Sequence, residues 1–145
     1  MKNNLLILFA VVIFLAPFAA CKKEKKCEAG TGGGLTLVAF AEHHGVKIFN
    51  LDSTQQFPNG YPDTVYVKFN TQDSPGLSPS NYDTYFVGEG GEDHIHLEGL
   101  KCGDYYFYAV GWDPSINERV FGGTKFSTSQ NSGEVVVHIP VTEGH

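Results

Sequence analysis

The sequence predicts an all-β domain, a sandwich of seven or eight antiparallel strands. Three observations lead there. Short segments alternate apolar and polar residues with the two-residue period of a half-buried strand. In DTVYVKFN (Asp63 to Asn70), Val65, Val67 and Phe69 share one face and Tyr66 and Lys68 the other. Clusters of turn residues, such as LDSTQQFPNGYP and TQDSPGLSPSN, separate these segments. No stretch holds a helical period over three turns with caps. That many strands in about 110 residues fit two packed sheets.

The elements follow in order. LTLVAFA (Leu35 to Ala41) opens the domain, and EHHG reads as a hairpin turn into VKIFN. After the first long loop come DTVYVKFN, a second loop, and YDTYFVG. HIHLEGL and DYYFYAVGW are strands separated by a Gly-bearing turn. ERVFGGTKFST and EVVVHIPV close the chain around SQNSG.

The N-terminus stands outside this pattern. Met1 to Ala20 carries one positive charge at Lys2, an apolar run from Leu5 to Phe18 and then small residues, which is a signal peptide. FAAC resembles a bacterial lipobox, which implies acylation of Cys21 and attachment to a membrane. Residues 21–34 are polar and then glycine-rich and read as a flexible tether, leaving 35–145 as the sandwich domain. From Glu28 onward there are fifteen acidic residues against five basic ones. That balance argues against a nucleic-acid partner, which needs a basic footprint. With Cys21 assigned to lipid, Cys27 and Cys102 remain. An oxidising destination favours a disulfide between them over a pair of metal ligands, and one sequence leaves open whether they meet.

The segment IHLEGLKCGDYYFYA, Ile95 to Ala109, resembles the signature of carboxypeptidase regulatory-like domains, the transthyretin-like sandwiches. The matching positions are Ile95, Leu97, Gly99, Leu100, Gly103, Tyr105, Phe107 and Ala109. The whole chain is similar to small Bacteroidota-type exported lipoproteins. The resemblance implies an immunoglobulin/transthyretin-like sandwich, outer-membrane attachment and a binding or assembly role; it supplies no catalytic residues. The alternation turns Ile95, Leu97, Tyr105, Phe107 and Ala109 inward and His94, His96, Tyr106 and Tyr108 outward. Tyr105 is placed to pin the corner through its hydroxyl. If these two strands pair, the two histidines lie beside the two tyrosines.

Candidate sites follow from these faces. His94 and His96 share a side at imidazole-ligation spacing for zinc or copper, and His43 or His44 in the EHHG turn can add a ligand. The other reading is a binding face of Tyr66, Tyr106, Tyr108 and Trp112, suited to a glycan or an envelope protein. A calcium reading draws on EGGED (Glu89 to Asp93) with Asp83. No nucleophile elbow or His-Glu-x-x-His helix is present, so the chain reads as non-catalytic. The expectation is a lipid-anchored envelope binding or assembly module, with metal binding as the alternative.

Overall fold

A computed structural model describes residues 27–48 and 63–144. The expected signal peptide, Cys21 and residues 22–26 lie outside the described residues, as do the end of the expected VKIFN strand and the first long loop. Eight strands follow in order: β1 (Thr31–His43), β2 (Val46–Lys47), β3 (Thr64–Phe69), β4 (Thr84–Val87), β5 (Ile95–Leu100), β6 (Gly103–Asp113), β7 (Glu118–Thr128) and β8 (Ser132–Glu143). The all-β class expected from the alternation is the one observed. Among the described residues no helix is long and apolar enough to cross a membrane.

The strands form one curled, mixed sheet in the order β2-β1-β8-β7-β6-β3-β4, with β5 also paired to β1. β7 and β8 join only at Val120–Glu143 and Phe121–Thr142, so the sheet folds over there and its two halves face each other. Alternate residues fill the space between them. Leu35, Leu37 and Ala39 of β1, Leu97 of β5 and Ile139 of β8 share one core with Val65, Val67, Tyr105, Phe107 and Val120. Each fully buried leucine or phenylalanine contributes about 1.5–3 kcal/mol. The inward assignment of Ile95, Leu97, Tyr105, Phe107 and Ala109 holds, and all five are buried.

Three features depart from the sequence reading. First, β1 begins at Thr31, inside the stretch expected to be tether, and Ala29 packs with the core. Thr31 and Leu35 both register with Leu100, and the intervening glycines form a bulge. Gly33 lies so close to the Leu100 carbonyl that a Cβ there would strike it. Glycine that reads as linker in sequence is here a close backbone approach.

Second, β5 and β6 do not pair. β5 pairs with β1, and β6 lies between β3 and β7, so the connection crosses between the two halves. Gly103, at φ 143°, makes the crossing, and a side chain there would collide with Ala29. The histidines of β5 and the tyrosines of β6 therefore sit on opposite outer surfaces. Third, β1 and β8 run parallel over ten residue pairs, from Gly34–Ser132 to His43–Val141, so the sheet is mixed and not wholly antiparallel.

The crossing is stapled twice. Cys27 and Cys102 form a disulfide, with Cα atoms 5.2 Å apart and 75 positions between them in sequence. Closing a loop of that length contributes about 4–5 kcal/mol in the chain-entropy account. The Tyr105 hydroxyl donates to the Lys101 carbonyl and accepts from the Gly30 amide at 3.4 Å. Tyr105 thus pins the corner as its position in the sequence suggests.

Candidate metal centre

β5 is a strand whose outward positions carry chemistry. In β5 the alternation sends His96 and Glu98 to one side while Ile95 and Leu97 go to the core, and the segment leading into the strand brings Glu92 and His94 to the same side. The ligand atoms of Glu92, His94 and His96 all lie within 4.8 Å of one another. His94 Nε2 stands 3.0 Å from His96 Nε2 and 3.6 Å from Glu92 Oε2. The group opens into a groove between the edges of β4 and β5, which Phe86, Val87, Glu89 and Glu98 also line.

His94 is oriented from behind. Its Nδ1 meets Asp93 Oδ1 at 2.9 Å, and Asp93 Oδ2 accepts from Lys47 Nζ at 3.2 Å. The His94 hydrogen bond, with help from Lys47 and against the effect of burial, holds the Asp93 carboxyl below its usual range. Lys47 in turn lies 3.5 Å above the Phe40 ring. Phe40 packs between His94 and His138, at 5.6 and 5.5 Å. In the tautomer of His94 that donates its Nδ1–H to Asp93, Nε2 carries a lone pair that can accept from the His96 Nε2–H. Two tetrahedral zinc ligands at about 2.0–2.1 Å stand roughly 3.3 Å apart, close to the spacing already present. A carboxylate behind a ligating imidazole is the usual device for fixing its tautomer.

His43 and His44 do not join this centre. His43 holds an inward position of β1, 5 % exposed, between Asp113 Oδ2 at 2.7 Å and Glu143 Oε2 at 2.8 Å. The hydrogen bond to Asp113, then that to Glu143, raises its pKa above 6.5 against the opposing effect of burial. His44 lies in the turn beyond. The two histidine pairs thus belong to separate groups, because the β1 alternation puts His43 inward while β5 turns His94 and His96 outward.

The tyrosine face is partly covered. Tyr82, in the loop before β4, stacks on Tyr108 at 5.7 Å, and Tyr66 meets Tyr82, Tyr85 and Tyr108 at 5.9–6.3 Å. The Tyr82 hydroxyl donates to Gly76 O at 2.9 Å and holds the loop down. Burial pushes the pKa of Tyr82 up to about 12. Tyr108 is consequently buried, contrary to its expected exposure, while Tyr66, Tyr106 and Trp112 are half-buried. The exposed ring on this side is Tyr85. The calcium grouping does not assemble either. Asp83 accepts from the Phe69 amide at 2.7 Å and Lys68 Nζ at 2.9 Å, while Asp93 serves His94 and Lys47.

Sequence reasoning grouped Glu92 and Asp93 with calcium and missed them as partners of His94; it missed Asp113 and Glu143 altogether. Glu92 was within reach, since it continues the alternation of His94 and His96. Asp113 and Glu143 carry no local signal, being 70 and 100 residues from His43. No protein-family model, curated protein or solved structure matches the chain.

Proposed function

We propose that the protein is a lipid-anchored, non-catalytic binding module of the cell envelope whose ligand is a Zn²⁺ or Cu²⁺ ion. Glu92, His94 and His96 hold the ion. The observation that carries this reading is the 3.0 Å approach of two imidazole Nε2 atoms, with Asp93 behind the first. Nitrogen donors favour zinc and copper over calcium, and with three protein ligands the remaining coordination positions face the groove. Attachment through Cys21 is supported by the FAAC segment and the signal-peptide-like run before it, and the outer membrane as destination by the resemblance to Bacteroidota-type lipoproteins. Membership of the carboxypeptidase regulatory-like family is supported by the Ile95–Ala109 signature and the Tyr105 corner.

The test is calorimetric titration of EDTA-treated protein with Zn²⁺, Cu²⁺ and Ca²⁺. Zinc or copper binds and calcium does not, and His96→Ala, at an exposed position, lowers the affinity of that site by at least roughly tenfold. Binding that His96→Ala leaves unchanged would overturn the assignment. A second reading has one observation in its favour: Tyr85 is 61 % exposed beside Tyr66 and offers a stacking surface for a glycan or an envelope protein. Tyr85→Ala would then abolish glycan or partner retention without changing metal affinity.

A further inference from the structure

At the end of β1 a second group repeats the donor set of the β5 edge. His43 Nδ1 rests on Asp113, and Nε2 points to Glu143. Asp113 is itself fixed, because its Oδ1 accepts from the Ser115 amide at 2.8 Å and the Ser115 hydroxyl at 2.6 Å. An imidazolium between two carboxylates explains these three residues. It does not explain His44.

The His44 side chain is 75 % exposed, so no packing demand places it there. Its backbone has φ 51° and Gly45 follows at φ 78°, a two-residue turn with both residues left-handed. Asn-Gly or Gly-Gly adopts that turn with less strain. The imidazole nonetheless sits with its centroid 4.2 Å from that of His43 and its Nε2 4.0 Å from Glu143 Oε2. Strain in an exposed turn that brings a second imidazole to a carboxylate is an observation about a site.

We propose that His43, His44 and Glu143 form a second transition-metal site, positioned by Asp113, in which His43 releases its Nε2 proton to solvent and the ion takes that proton's place between His43 and Glu143. The ligand atoms already lie within 4.8 Å of one another. Tetrahedral ligand bonds of about 2.0–2.2 Å hold neighbouring donors roughly 3.3 Å apart or a little more. The His43–Glu143 pair stands at 2.8 Å, so it opens by roughly half an ångström while His44 swings inward. The ion would clamp the ends of β1 and β8, with β6 attached through Asp113. It is a zinc- or copper-class ion, for the same reason of donor chemistry.

The edge site and this one separate experimentally. EDTA-treated His96→Ala protein, in which the edge site is disabled, is titrated with zinc chloride while melting temperature is followed. A single equivalent still binds, and the melting temperature rises. Adding His44→Asn, which suits the turn and leaves the ion pair in place, lowers affinity at least roughly tenfold and removes the rise. If His96→Ala protein binds no zinc while the unsubstituted protein does, the second site is overturned and the edge reading stands. Zinc binding indifferent to His44→Asn overturns it equally. If instead His44→Asn alone removes all zinc binding, this site stands and the edge site falls.

Discussion

Two histidines of this fold, His43 and His94, are dressed alike and behave differently. Each has an aspartate on Nδ1, and each turns Nε2 towards a glutamate and a second histidine. His43 is buried, and both its nitrogens meet carboxylate oxygens within 2.8 Å. His94 lies on the outer surface, and its Nε2 meets another imidazole. The difference follows from solvent. A buried carboxylate must find a counter-charge inside the fold, and the His43 imidazolium supplies it. At the surface water screens Glu92, so the same donors can remain charge-unbalanced until a cation arrives.

The comparison breaks most visibly through the two aspartates. Asp113→Ala strips a buried imidazolium of its nearer partner and should cost about 3–5 kcal/mol in denaturant unfolding. Asp93→Ala removes the equivalent partner at the surface and should cost less than about 1 kcal/mol by the same measurement. Similar losses from both would show that burial is not what separates the groups. Metal affinity should invert the ranking for the edge site. There Asp93→Ala, read by competition with a coloured chelator, weakens zinc binding roughly 10- to 100-fold.

A smaller effect appears in the pH profile of the metal-free protein. The folded pKa of His43 is raised, so its contribution is fully present below pH 6.5 and is lost as pH rises through the folded value. Asp113 and Glu143 have lowered values. For Asp113 burial opposes the shift, and Ser115 and His43 outweigh it; for Glu143 its own backbone amide and His43 drive it. Their contributions are present above the ordinary carboxyl values of 3.8 and 4.5 and fade as pH falls through the folded ones. Melting temperature should therefore be highest between these limits and decline on the alkaline side. His43→Gln should flatten that alkaline decline, and a variant that retains it would locate the titrating group elsewhere.

What the sequence disclosed was whatever is local. Alternation in Val65–Phe69 and Ile95–Leu97 identified strands and their faces, and the outward direction of His94 and His96 followed from it. Tyr105 at the corner was legible from the resemblance of Ile95–Ala109 to a known signature and from the glycine-bearing turn beside it. Partnership was not. Neighbouring strands default to a hairpin in sequence reasoning, whereas the bend at Gly103 sends β6 to the other half. The Gly32–Gly34 run has the composition of a linker, and only the approach of Leu100 reveals a bulge. Tyr108 alternates outward as expected, and its burial depends on Tyr82 from a loop 26 positions away. The carboxylates that hold His43, Asp113 buried and Glu143 partly exposed, come from the far ends of β6 and β8, where no periodicity points to them.

The parallel pairing of β1 with β8 also has a mechanical side. Force drawing Thr31 and Glu143 apart pulls β1 from its start and β8 from its finish, so the strands must slide past each other. All ten residue pairs then bear the load together, where an antiparallel hairpin pulled from its open end would unzip pair by pair. Rupture under tension is a matter of the unfolding rate. Tension applied across that pair would therefore meet it in shear, with every backbone hydrogen bond of the pair opposing the slide at once.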